Sequence, residues 1–234
     1  MLGRIWQGRR IPLAWLLLTR QPVRLAVALA GIAFAGILMF MQLGFRDGLF
    51  DASVTIHRLF DTDLVLISPR SSSSVSMAGF PRRRLVQAMA DPDVEGVTPV
   101  HWNLLLWRNP DTKATRSILT LGFEPADPLF TDPSLAPKAK LLQDRGRVLF
   151  DELSRPEFGP VAEWFRSGRT VESEINGKKV RVAGLVGLGT SFGADGNLLT
   201  SQETYLQLLP NTPPGSIEVG LIRLRAGADA DAVV

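Results

Sequence analysis

The feature that most constrains this chain is an uncharged apolar run of 21 residues, Leu25–Phe45, which reads LAVALAGIAFAGILMFMQLGF. Gln42 is its only strongly polar side chain. An α-helix rises about 1.5 Å per residue, so about 20 apolar residues cross a hydrocarbon core about 30 Å thick. A helix that is apolar on every face has no side that suits water. The run therefore predicts a transmembrane helix over residues 25–45.

The charges on either side of this run predict its orientation. Residues 1–24 contain five arginines and no acidic residue, whereas basic and acidic side chains are mixed directly after the run. The positive-inside rule then predicts that residues 1–24 are cytoplasmic and that residues 46–234 lie on the other side of the membrane. A cleaved signal peptide is the alternative. It is disfavoured because its apolar core is usually about 7–15 residues long and a small-x-small site follows it.

The segment before the run predicts a second contact with the membrane. Ile11–Leu18 is apolar but only eight residues long, which is too short to span a bilayer. Because Trp6 and Trp15 lie among the arginines, we expect an amphipathic helix along the cytoplasmic face, with an irregular leader as the alternative.

Composition excludes several classes of site and partner. The chain has no cysteine, which excludes disulfides, thiolate zinc sites, iron–sulfur clusters and a cysteine nucleophile. The net charge is +3. The five N-terminal arginines leave 21 basic and 23 acidic side chains in the other 210 residues. The basic character is therefore a short patch beside the apolar run, which disfavours nucleic-acid binding.

The remainder of the chain alternates β-type and helical patterns, which predicts a mixed α/β domain. Residues 46–60 are expected to continue the helix, and residues 124–147 to wrap the surface. The sequence predicts strands at Asp63–Ser68, Glu95–Trp102, Asn103–Trp107, Arg116–Phe123, Val148–Phe150, Thr170–Ile175, Lys179–Val186 and Ser216–Leu224. It predicts helices at Pro81–Ala90, Pro160–Arg166 and Ser201–Leu209. Asn176-Gly177 between two β-rich runs predicts a two-residue type I′ hairpin turn.

A glycine-rich segment, Gly184–Gly196, contains partial matches to one catalytic motif and one dinucleotide-binding motif. Gly189–Gly193 fits G-x-S-x-G, but an α/β-hydrolase needs Asp and then His after the serine, and both histidines precede Ser191. Gly187, Gly189 and Gly193 are spaced G-x-G-x-x-x-G, which departs from the dinucleotide-binding spacing. Tight loops with positive φ explain these glycines better. An anchored hydrolase that uses Ser191 is a further alternative, and the Ser191→Ala variant would test it.

The other candidate groups favour structural interpretations. His57 and His101 are 44 positions apart and make a poor metal site, with His57 expected on a helix surface and His101 in a strand. Arg82-Arg83-Arg84 is typical of a solvated helix start, and Asp195-Gly196-Asn197 of a turn. Gly177-Lys178 lacks the earlier glycine of a P-loop, because Glu172 occupies that position. We therefore predict no catalytic residue, no cofactor site and no metal site in this chain.

Several runs resemble one family. Ala14–Pro69 closely resembles the start of DevC-type permease subunits, which belong to the MacB/FtsX-like class of ABC exporters and are named for heterocyst glycolipid export. Further matching runs are Phe80–Leu85 (FPRRRL), Leu149–Asp151, Ser154–Gly159 (SRPEFG) and Gly189–Thr200 (GTSFGADGNLLT). Together the matching runs extend over nearly the whole chain.

The resemblance implies a non-catalytic transport subunit with an α+β fold. An N-terminal amphipathic helix and one transmembrane helix would precede a MacB-like periplasmic domain, residues 46–234, with two interleaved lobes. The membrane-proximal lobe would comprise about 46–123 and 201–234, and the inserted distal lobe about 124–200. The implied location is the inner (plasma) membrane.

The resemblance also implies partners. These are a DevA-type ABC ATPase on a separate chain, a DevB-type periplasmic membrane-fusion adaptor, a TolC-type outer-membrane duct and a second copy in a homodimer. The family continues through three more spans, whereas this sequence ends at Ala232-Val233-Val234, so we expect an N-terminal part or a truncated gene product. A single-pass anchored sensor or scaffold module without transport is the alternative function.

Overall fold

The computed structural model describes residues 20–54, 59–73, 75–191 and 193–233, and for residues 46–54 it describes the backbone. Two earlier predictions, the amphipathic helix at Ile11–Leu18 and the surface position of His57, lie outside the described residues. The chain divides into two compact units, Met1–Phe50 and Asp51–Val234.

A single long helix dominates the described part of the first unit. Helix α1, Pro22–Val54, is 33 residues long and begins with a proline, whose missing N–H costs nothing in the first turn. Its segment Pro22–Phe45 is long and apolar enough, by length and composition, to cross a membrane. Apolar side chains such as Phe34 and Phe40 are exposed along it. The predicted span lies inside this segment, and the predicted helical continuation is confirmed as far as Val54.

The second unit is a mixed α/β domain, which confirms the predicted fold class of an apolar helix followed by such a domain. Its strands are β1 Leu64–Ile67, β2 Phe80–Pro81, β3 Val94–Arg108, β4 Thr115–Phe123, β5 Arg147–Asp151, β6 Glu172–Ile175, β7 Lys178–Val186, β8 Asn197–Ser201, β9 Ser216–Ile217 and β10 Val219–Leu224. Its helices are α2 Arg83–Ala88, α3 Leu135–Ala139, α4 Val161–Arg166, α5 Gln202–Leu208 and α6 Ala230–Val233, with 3₁₀ turns at Lys140–Leu142 and Pro156–Phe158.

The 15-residue strand β3 organises the sheet because it changes partner half-way. Its first half, up to Val100, pairs antiparallel with β10, which in turn pairs with β1. From His101 onwards it pairs antiparallel with β4. The order continues through β8, β5, β7 and β6, and β6 returns to the end of β3 at Trp107 and Arg108. Six strands thus close into a ring, and β3 joins that ring to β10 and β1.

Among the described residues, three clusters of buried side chains form the core. One lies within the six-stranded ring and includes Trp107, Phe150 and Tyr205. A second includes Trp102 and Phe123. The third surrounds Leu85 of α2. The lobe boundaries that the resemblance implies, about 46–123 with 201–234 and about 124–200, stay a prediction.

Two predicted boundaries near β3 and α2 are wrong. The strands expected at Glu95–Trp102 and Asn103–Trp107 are one continuous strand, because Asn103 pairs with Thr120 of β4 and does not form a turn. Pro81 does not start a helix. It lies in β2 opposite Ser216, a short two-stranded pairing in which a missing N–H is tolerated, and α2 begins at Arg83.

Two further predictions fail for the middle of the chain. Residues 124–147 do more than wrap the surface, because Leu129, Leu135 and Leu142 are buried in the core. Asp195-Gly196-Asn197 is not a simple turn, since Asn197 begins β8 and is fully buried. In both places a polar or proline-rich sequence conceals side chains that pack inward.

The predicted hairpin is confirmed in detail. β6 and β7 pair antiparallel across Asn176 and Gly177, whose φ angles of 49° and 75° fit a type I′ turn. Asn176 Oδ1 also accepts a hydrogen bond from the backbone N–H of Leu106, at 3.0 Å. The turn therefore fixes the hairpin register and ties the hairpin to β3.

Candidate functional site

The most unusual chemical feature of the domain is a buried polar cluster where β3 changes partner. It consists of His101, Glu218 and Tyr205, which we call the junction cluster. The three residues are 2%, 6% and 0% exposed. His101 is the first residue of β3 that pairs with β4, Glu218 lies between β9 and β10, and Tyr205 belongs to α5. The cluster therefore joins the ring, the β10 side of the sheet and a helix.

Hydrogen bonds fix the imidazole and the carboxylate of the junction cluster. Glu218 Oε2 lies 2.9 Å from His101 Nδ1 and accepts a second bond from the backbone N–H of Trp102, at 3.3 Å. Because an ionised carboxylate only accepts, this pairing assigns a proton to Nδ1 of the imidazole. A buried carboxylate needs such partners to offset the loss of hydration.

Tyr205 completes the junction cluster by stacking on the imidazole. Its ring centroid lies 4.8 Å from that of His101, with an interplanar angle of 17°. Ser201 caps the helix that carries Tyr205, because its Oγ accepts from the N–H of Thr204. Burial raises the pKa of the Tyr205 phenol, and the negative charge of Glu218 raises it further. The phenol therefore stays protonated wherever the domain is folded.

The absence of a side chain at Gly122 makes room for Tyr205. Gly122 lies opposite His101 on β4, and a Cβ at this position would lie 2.5 Å from Cβ of Tyr205 and 2.7 Å from its Cγ. We expect Gly122→Ala to lower the free energy of unfolding by about 1–3 kcal/mol, because the ring must move out of a packed core. Urea unfolding of the full chain in detergent, followed by circular dichroism, measures the change.

Gly96→Ala is the matched control for that substitution. Gly96 lies on β3, and a Cβ there would have nothing within 4 Å. Its replacement should be neutral or slightly stabilising, because alanine restricts the unfolded chain more than glycine does. Equal losses from the two variants would show that Tyr205 is not held in this position.

The raised pKa of Tyr205 predicts an alkaline limit to stability. The unfolded phenol releases its proton near pH 10, while the folded one retains it. Stability is therefore fully present below pH 10 and falls above it, by up to about 1.4 kcal/mol per pH unit. Because Tyr205 is the only tyrosine in the chain, tyrosinate absorbance near 295 nm reports on it alone. Absorbance should rise together with loss of circular dichroism; a rise that precedes unfolding would contradict the prediction.

A cavity adjoins the junction cluster. It encloses about 210 Å³ and is lined by His101, by Arg82, by the α5 residue Leu206 and by the loop that contains Pro213 and Pro214. The cluster itself holds a hydrogen-bonded acid and base but no hydroxyl nucleophile in hydrogen-bond contact with His101 among the described residues. Its geometry is suited to holding elements together.

A second buried network holds the glycine-rich loop. The carboxylate of Asp151, at the end of β5, is fully buried and accepts from the backbone N–H groups of Leu153 and Leu188, at 3.1 and 3.0 Å. Its other oxygen accepts from Asn197 Nδ2 at 2.7 Å, and the same amide donates to the carbonyl of Gly189. Asp151 therefore ties two loops to the start of β8.

The structure places the G-x-S-x-G serine in this loop and not in a nucleophile elbow. Ser191 forms a bridge with Ala194, and the next element is strand β8 instead of a helix. In the described part of the chain the Ser191 hydroxyl has no hydrogen-bond partner, so it does not contact His101. Gly189 has a φ of 83°, which confirms the tight-loop interpretation at that position.

Of the other residues singled out in the sequence, His101 belongs to the junction cluster and the rest do not. His101 is in a strand as predicted, and Arg82-Arg83-Arg84 is exposed at the start of α2. Asp195 pairs with the guanidinium of Arg155 at 3.0 Å. Among the described residues, no group of three His, Asp or Glu side chains could hold a metal ion. The absence of catalytic and metal sites stays a prediction.

Sequence reasoning missed Glu218, Tyr205 and Asp151. Glu218 is a single carboxylate between Ile217 and Val219, and a charged residue inside an apolar strand is the signal that could have drawn attention to it. Asp151 follows the apolar triplet Val148–Phe150 in the same way. Neither position indicates its partner, because His101 and Asn197 are distant in the sequence.

Comparisons with known proteins give structural neighbours only. The sequence matches no family model, and no curated protein matches it. A solved structure that resembles the chain is the periplasmic region of MacB from Actinobacillus actinomycetemcomitans, with 13% identity and a TM-score of 0.45 over 76% of this chain and 81% of that one. Another is the extracellular domain of the ABC-type transporter YknZ from Gram-positive bacteria, with 10% identity and a TM-score of 0.42 over 75% and 87%.

Proposed function

We propose that this chain is a membrane-anchored permease subunit of an ABC-type exporter, or the N-terminal part of one. The observation that carries the proposal is the arrangement of one helix apolar enough to span a membrane, Pro22–Phe45, leading into a mixed α/β domain at Asp51–Val234. The runs that resemble DevC-type permeases lie on both sides of that helix. The domain would lie outside the cytoplasm, with the arginine-rich N-terminus inside.

In this proposal the domain transmits movement and performs no chemistry. A DevA-type ATPase on a separate chain would hydrolyse ATP, and the domain would respond by changing conformation. A DevB-type adaptor and a TolC-type duct would carry a lipid or glycolipid onward, and two copies of the chain would pair. The junction cluster supports such a role, because its hydrogen bonds and ring stacking link the ring, β10 and α5.

Co-purification tests the proposal. The tagged full-length gene product would be co-expressed with the ATPase encoded beside it and extracted in mild detergent. We expect the ATPase to co-purify and its hydrolysis rate to change when the two are reconstituted together. An ATPase variant that lacks the P-loop lysine controls for hydrolysis that comes from contaminants.

The alternative function is a single-pass sensor or scaffold module, and the same domain would serve it. The DNA beyond codon 234 separates the two. Three further apolar runs of spanning length, next to frames for a P-loop ATPase and an adaptor, would support the exporter. A stop codon without such neighbours, together with failure to co-purify an ATPase, would reject it.

A further inference from the structure

From the exposed face of helix α2 we infer a surface that docks on a bilayer containing anionic phospholipids. Arg82, Arg83, Val86 and Met89 form this surface, which we call the α2 stripe. Arg82 and Met89 flank the helix and have helical φ and ψ angles, so the helical conformation extends over all four positions. At about 100° per residue the four side chains fall within about 120° of the helix circumference.

Packing of the adjoining face fixes which way the α2 stripe points. Leu85 is 1% exposed and packs on β10 at Gly220, where an added Cβ would lie 2.6 Å from Leu85 Cδ1. Val86 and Met89, by contrast, are 56% and 50% exposed, and both arginines are exposed. The α2 stripe therefore combines two solvent-exposed apolar side chains with two adjacent cationic side chains.

This combination matches the chemistry of a membrane surface. Arginines pair with lipid phosphates while adjoining apolar side chains enter the boundary between headgroups and acyl chains. Burial raises the pKa of the Asp127 carboxyl, and the positive charge of Arg82 offsets part of that rise. Arg83 is exposed, so its guanidinium can reach a lipid phosphate.

The chain itself supplies the membrane, which favours lipid over a protein partner. Arg82 follows Phe45, the last residue of the candidate span, by 37 positions. Because the domain and α1 belong to one chain, the domain is held at a high effective concentration next to the bilayer, so that even a weak surface contact is populated. This inference rests on one part of the proposed function, namely that α1 is the membrane anchor.

The lack of cysteine allows a direct test in the full chain, since one introduced thiol can be labelled alone. Val86→Cys would carry an NBD fluorophore in vesicles of phosphatidylglycerol and phosphatidylcholine, with spin-labelled lipid as the quencher. We expect quenching of the label in these vesicles at low salt, and its loss at high salt or in pure phosphatidylcholine. Replacing Arg82 and Arg83 with glutamine should lower the ratio of docked to free domain by about 25-fold, since each arginine near an anionic surface contributes about fivefold.

Two further labels separate the failure of this inference from the failure of the anchor. Phe40→Cys lies within the candidate span, and its label is quenched in every vesicle if α1 is inserted. Leu153 is 59% exposed on the loop after β5, and a label attached to Leu153→Cys should stay unquenched. An unquenched Val86 label beside a quenched Phe40 label overturns the docking surface alone. Equal quenching at Val86 and Leu153, or quenching unchanged by the glutamine variant, overturns it too.

A protein partner is a further outcome of the same experiment. Val86 fluorescence that changes with the protein-to-lipid ratio, but not with the lipid charge or the quencher, would mean that a second copy covers the α2 stripe. That result also overturns the lipid assignment.

Discussion

Replacing His101 with alanine is expected to lower the free energy of unfolding of the domain by about 3 kcal/mol, because the buried carboxylate of Glu218 loses its hydrogen-bonding partner. Glu218 would keep the backbone N–H of Trp102 as a donor but would lose its imidazole partner while remaining largely buried. Tyr205 would also lose its stacking partner. Urea unfolding of the full chain in detergent, followed by tryptophan fluorescence and circular dichroism, measures the loss.

The same strand offers a matched control. Arg108 also lies on β3 and pairs with Glu174 at the same distance of 2.9 Å, but these side chains are 47% and 34% exposed. Arg108→Ala should cost at most about 1 kcal/mol, because water already solvates both groups. His101→Asn retains a side-chain N–H donor and should recover part of the loss. A cost for His101→Ala no larger than that for Arg108→Ala would show that the junction cluster does not hold the domain together.

Local sequence signals predict the local structure of this chain well. The uncharged run at Leu25–Phe45, the Asn176-Gly177 turn and the helix that begins after Ser201 each depend on neighbouring residues. Such signals can be read from the sequence because the residues that cause each local structure lie within a few positions of one another. The continuous strand β3 was divided in the prediction because nothing local shows that one strand serves two different partners.

The polar clusters could not be predicted for a different reason. His101 and Glu218 are 117 positions apart, and Asp151 and Asn197 are 46 apart, so each pairing exists only after the sheet has formed. Residues 124–147 show the same limit, since their prolines and charges conceal the leucines that enter the core. A buried charge is visible in a sequence as an anomaly, but its partner depends on topology.

Asp151→Asn is expected to destabilise the domain by about 3 kcal/mol, which is comparable to losing one or two hydrogen bonds to a charged group. The asparagine retains one acceptor oxygen, whereas Leu153, Leu188 and Asn197 together present donors to both oxygens of the aspartate. In either orientation its amide group meets another N–H donor at van der Waals distance. Buried donors then lose their acceptor, and the glycine-rich loop loses its attachment to β8.

Hydrogen exchange locates this effect as well as measuring it. The amides of Leu153 and Leu188 should exchange faster in Asp151→Asn, while protection in the β6–β7 hairpin falls only as far as global stability does. Asp144→Asn is the control, because this carboxylate is 67% exposed in its pairing with Arg147 and its loss should cost less than about 0.5 kcal/mol. Equal losses from the two variants, or unchanged exchange at Leu188, would mean that the loop is held by its backbone and not by Asp151. The expected difference arises because the same carboxylate chemistry stabilises a fold only where water cannot replace the lost partner.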